Sequence, residues 1–176
     1  LEKRASAYMK SEPLGIVIVL CNFFLMGILG GFRKSEWAQP EGLWHPKYPQ
    51  QNSLDPDTHC TTMAFVPNDF VVQFQDYRKR KGLEILLGTY DNARKAAGTF
   101  KTQKNQQNGE VREWTKNDNP DGHCFVKALF GQMAIFQELM ERDKSLDPAV
   151  TPLSVYWDYK DQCVKLVTAD EINDML

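Results

Sequence analysis

The stretch EPLGIVIVLCNFFLMGILGGFRK, Glu12 to Lys34, contains no charged residue between Leu14 and Phe32. As a helix, those nineteen residues would span roughly 28 Å, close to the hydrocarbon thickness of a bilayer. A core helix of a soluble domain usually shows a polar stripe every three or four residues. Here the only polar side chain is Asn22, with Cys21 mildly so. Ser11 suits a cap and Pro13 a first turn. Arg33 and Lys34 are placed to snorkel, and Trp37 and Trp44 follow at the depth interfacial aromatics prefer. The run therefore predicts a transmembrane helix over residues 14–34, with Arg33, Lys34, Trp37 and Trp44 at the membrane interface.

Within the span, Gly27 and Gly31 form a G-x-x-x-G pair that would let a second helix approach closely. Asn22 is costly in lipid without a partner, so it belongs to the same expected helix-packing face. Orientation stays open: Lys3, Arg4 and Lys10 flank one end, and Arg33, Lys34 and Lys47 the other.

Although it contains this run, the 176-residue chain is polar overall, with a mean hydropathy of −0.48, a net charge of −2 and a pI of about 5.9. Such a balance lacks the concentrated basic field that phosphate backbones require, so no nucleic-acid partner is expected. Of the four cysteines, Cys21 lies in the apolar run, and Cys60, Cys124 and Cys163 cannot all pair. That excludes a disulfide framework and leaves open either one bridge, such as Cys60–Cys124, or a fully reduced chain. Residues 1–13 read as a processed flank: Lys3-Arg4 resembles a dibasic secretory processing site, and the basic, Ser- and Ala-containing stretch equally resembles the stub of an organellar transit peptide.

Residues 35–60 read as an extended connector, broken by Pro40, Pro46, Pro49 and Pro56 and carrying Trp37, Trp44 and Tyr48. Residues 61–176 read as an α+β body, an antiparallel sheet with one long packed helix. DFVVQFQDY and GLEILLGTY suggest strands joined by a basic RKRKG turn, although residues 68–81 could also be helical. GTFKTQ and EVREWTK suggest a hairpin around Asn108-Gly109, and SVYWDY with CVKLVT another. In CFVKALFGQMAIFQELMERD, residues Phe125, Ala128, Leu129, Met133, Phe136, Leu139 and Met140 share one helical face. Thr168 and Glu171 form a capping-box pattern before a short final helix.

Two stretches rhyme: DPDTHC ends at His59-Cys60 and NPDGHC at His123-Cys124. Zinc uses these ligand types, but usually two to four residues apart, and adjacent side chains diverge. No metal site is expected. DGHCF, opening a helix, resembles the nucleophile motif of the OTU family of cysteine deubiquitinases. The resemblance implies Cys124 as a thiolate at a helix N-terminus. That family takes its base histidine from downstream of the cysteine, whereas no histidine follows His123 here, and His45 or His59 would have to serve. No phosphate-binding glycine loop, metalloprotease helix or nucleophile elbow is present.

The expected function is therefore a non-catalytic, single-pass accessory subunit of a multi-subunit membrane complex. Its expected partners are the lipid bilayer and other membrane-protein subunits. By analogy it belongs to an organellar energy-transducing assembly, a photosystem or a respiratory complex, in the thylakoid or mitochondrial inner membrane. No catalytic residue and no cofactor are expected. The alternatives are a membrane-anchored cysteine hydrolase using Cys124, and a secretory-pathway anchored binding domain.

Overall fold

A computed structural model describes residues 10–33, 36, 38, 64–101, 109–119 and 122–175. The apolar run forms helix α1, Ile16–Gly30. Fifteen residues reach only about 22 Å, short of the roughly 30 Å hydrocarbon core. Among the described residues no helix is long and apolar enough to cross a membrane. This overturns the expected transmembrane helix, and with it the integral membrane location. The organelle, photosystem and respiratory-chain placements rested on the span and fall with it.

The local chemistry of both helix ends explains the correction. Lys10 and Ser11 are helical, but a turn follows at Pro13 and Leu14, and Gly15 rather than Ser11 is the N-cap. At the other end Gly31 adopts φ +67°, a left-handed conformation that glycine enters without a Cβ penalty. The amides of Gly31 and Phe32 both donate to the Gly27 carbonyl, at 2.8 and 3.2 Å, and the helix stops. A helix apolar on all sides is either a membrane span or a core element; this one packs into a core.

The body is an α+β domain with antiparallel sheets. Strands β1 (Phe70–Phe74), β2 (Lys79–Lys81), β3 (Ala93–Phe100) and β4 (Glu110–Thr115) form one sheet in the order β2-β1-β3-β4. Residues 70–81 are thus mostly strand, and the basic stretch expected to be a turn supplies the edge strand Lys-Arg-Lys. Lysines suit an exposed edge because they discourage further strand pairing. GLEILLGTY is not a strand: Gly82–Leu87 is a 3₁₀ segment that buries Ile85. Helix α2, Phe125–Arg142, lies on the inner face of the sheet. Strands β5 (Val155–Asp158) and β6 (Cys163–Leu166) make a separate hairpin, followed by helix α3 (Ala169–Met175). The capping box before α3 is formed. Thr168 Oγ1 accepts the Glu171 amide at 3.2 Å, and Glu171 Oε2 accepts the Thr168 amide at 2.7 Å.

The alternating strand pattern sends Phe70, Val72, Phe74, Ala96 and Phe100 inward. They meet Phe125, Leu129, Met133 and Phe136 from α2, while Val19, Leu20, Phe23 and Met26 of α1 join the same core. Just beyond α1, Phe32 contacts the rings of Phe65, Phe100, Trp114 and Phe125, at centroid distances of 4.6 to 5.9 Å. The entry to α1 is tied to β5, because the Leu14 carbonyl accepts the Trp157 amide at 2.9 Å.

Candidate functional site

Helix α1 has two unlike sides. The side carrying Val19, Phe23, Met26 and Gly30 is buried. Asn22 sits at the edge of the seam with α2 and donates from Nδ2 to Gln132 Oε1 at 3.3 Å. Gln132 is fully buried and donates in turn to the Leu153 carbonyl at 2.8 Å. Gly131 lies beside this contact, where a Cβ would meet Asn22 Nδ2 at an ordinary 3.4 Å. The other side of α1 carries Val17, Cys21, Leu25 and Ile28, at steps of four, four and three residues, which align on one stripe. Val17, Cys21 and Leu25 are half-exposed, Ile28 is 76 % exposed, and neighbouring Leu29 is 40 % exposed.

The sequence-derived helix-packing residues are therefore dispersed. Gly27 is buried inside the fold, Gly31 is the exposed helix stop, and Asn22 bonds the chain's own α2. Of the expected interface residues, Arg33 is exposed, and its amide donates to Glu36 Oε2 at 2.6 Å. Lys34, Trp37 and Trp44 lie outside the described residues. The stripe was present in the sequence but hidden by uniformity. When every position is apolar, periodicity cannot say which face is covered.

Cys124 is the N-cap of α2, buried and with a free thiol. Burial pushes its pKa up, but hydrogen bonds from the Asn117, Lys127 and Val126 amides and the Tyr90 hydroxyl outweigh it and leave the thiol below its ordinary value. The Asn117 amide lies 3.3 Å from Sγ. Burial, together with its own hydrogen bond to Cys124, raises Tyr90 to about 12. The Tyr90 hydroxyl also lies 3.3 Å from the Asn117 carbonyl. His123 is exposed, and its carbonyl accepts Asn117 Nδ2 at 3.1 Å. His45, His59 and Cys60 lie outside the described residues. Among the described residues no group of three metal-ligating side chains is assembled.

Comparison with protein-family models, curated proteins and solved structures finds no match.

Proposed function

We propose that this chain is a non-catalytic structural subunit of a protein assembly, and that it docks an apolar helix of another subunit along the outer stripe of α1. One observation carries the reading: the uncharged helix Ile16–Gly30 is covered on one side and leaves Ile28 76 % exposed on the other. The stripe from Val17 to Ile28 runs about 16 Å, or three helical turns. It offers no charge or strong hydrogen-bonding group, so its complement is an equally uncharged surface; a helix presents one at matching spacing.

The test compares the wild-type chain with Ile28→Glu in its native source. Wild type should run in sizing as part of a larger particle, and Ile28→Glu should fold and run alone. A wild-type chain that runs alone, or an Ile28→Glu chain that stays in the particle, would overturn the proposal. Sedimentation of the purified chain decides the occupant, because concentration-dependent dimers lost in Ile28→Glu would replace the foreign helix with a second copy.

The Cys124 cap supports a second reading, thiol chemistry at the N-terminus of α2, through its depressed pKa. Its test is alkylation of the folded chain by iodoacetamide at neutral pH. Modification of Cys124 faster than of exposed Cys163 supports this reading, and slower modification removes it.

A further inference from the structure

Where the β1–β2 hairpin meets the start of β3, a pocket of about 390 Å³ is lined by Phe74, Gln75, Arg80, Leu87, Thr89 and Asn92, with Asp76 in its wall. Its frame is held by backbone hydrogen bonds. Phe74 donates to Arg78 at 2.9 Å, Gln75 to Asn92 at 2.9 Å and Asn92 to Thr89 at 3.2 Å. Gly88 brings its backbone against Phe74, since a Cβ there would lie 2.3 Å from the ring. The volume is within the range of small-molecule sites.

Arg80 is the unusual member. Its guanidinium carbon lies 5.3 Å from the centroid of the Phe74 ring, and its buried Nη1 has no acceptor. A buried guanidinium nitrogen without an acceptor is costly. Three other arginines of the domain are ion-paired, Arg78 with Asp76 at 3.4 Å, Arg112 with Glu110 at 3.0 Å and Arg142 with Glu138 at 3.0 Å, while Arg94 stacks on the Tyr77 ring. The Asp76 carboxylate is engaged by the Arg78 side chain and, at 3.1 Å, by its amide. The side chains of Gln75, Thr89 and Asn92 are exposed at the rim, and Leu87 forms a lip 78 % exposed.

We propose that this pocket binds a small organic carboxylate carried on an apolar or aromatic body, with Arg80 as its anchor. A small turn of the guanidinium would present its fork to the carboxylate and supply the missing acceptor. Phe74 and Leu87 would hold the apolar body, and the amides and hydroxyl at the rim would complete the carboxylate's shell. Arg78, Lys79 and Lys81 on the same hairpin supply an attracting field. A phosphate dianion fits less well, because one arginine faces it and Asp76 opposes it. This site is separate from the α1 stripe and does not depend on it.

The experiment is titration of the full chain with sodium benzoate, followed by amide and arginine Nε correlation spectra. Saturable shifts should centre on Arg80, Gln75, Thr89 and Asn92, with a dissociation constant on the order of 1 mM for so small a probe. Arg80→Gln should weaken binding about tenfold, and Arg80→Lys nearly as much, because lysine lacks the fork. Leu87→Ser, at the exposed lip, should weaken it by about threefold with folding intact, and reads the site even if the Arg80 variants unfold. Absence of saturation in the wild type overturns the proposal, as does unchanged affinity in folded Arg80→Gln or in Leu87→Ser. Inorganic phosphate binding as tightly as benzoate overturns the assignment of a carboxylate.

Discussion

Asn22 of helix α1 donates its side-chain amide to Gln132 of helix α2, 3.3 Å away and 110 residues later in the chain. The apolar run thereby finds inside its own domain the polar partner that a helix in lipid would need from another protein.

Gln132 also satisfies the Leu153 carbonyl. Gln132→Leu should therefore destabilise the domain by about 1–3 kcal/mol, because a buried carbonyl is left unpaired. A double-mutant cycle with Asn22→Ala should give a coupling below about 1 kcal/mol, as expected for a long neutral bond that is partly exposed. Urea unfolding measures both.

Phe23→Ala in α1 should cost about 3–5 kcal/mol, like a buried aromatic of any globular core. Leu129→Ala and Phe136→Ala in α2 should cost about 2–5 kcal/mol, and exposed Lys127→Ala less than about 0.5 kcal/mol. If Phe23→Ala left the unfolding midpoint unchanged while Leu129→Ala lowered it, α1 would not belong to the core.

Gly31→Ala should destabilise by about 1–2 kcal/mol, because Ala is strained at φ +67°. Space is not the cause: the nearest atom to an added Cβ, Arg112 Nη1, is 3.5 Å away. Gly31→Asn should recover part of the loss, since Asn tolerates this conformation better. Thermal melts of the two variants separate conformational strain from steric strain.

Asp158 should titrate at about 2, held down by its hydrogen bond from Lys165 and by the Asp161 and Lys160 amides. Lys165 is raised by the same bond and by Asp161. A carboxylate with a depressed folded pKa stabilises the fold above its ordinary value near 3.8. That contribution is lost as pH falls towards 2. Lys165→Met should return Asp158 towards its ordinary value, measured by carboxyl-carbon NMR titration. An unshifted Asp158 in the wild type would contradict the ion pair across the β5–β6 hairpin.

The elements with a clear period were legible in the sequence. Phe125, Leu129, Met133, Phe136 and Leu139 stand at helical spacing against polar neighbours, and all are buried on one side of α2. Thr168 and Glu171 announce the start of α3 because a capping box is a local device. The short edge strand Lys79–Lys81 was not legible: three basic residues have no strand signature, and only pairing with β1 makes them one. Cys124 at a helix start was readable from DGHCF, but its Asn117 and Tyr90 partners and Arg80's missing acceptor were invisible, since each depends on groups brought in from elsewhere in the chain.

The apolar run marks the limit most clearly. Its sequence alone determined that Leu14–Phe32 must leave water, because nineteen residues without charge cannot be stably solvated as a surface helix. Which solvent replaces water was decided only by tertiary structure. Transfer into lipid and into a protein core remove the same apolar area from water. The choice therefore rests on helix length, set by the Gly15 and Gly31 ends, and on whether α2 and the β5–β6 hairpin offer a complementary surface.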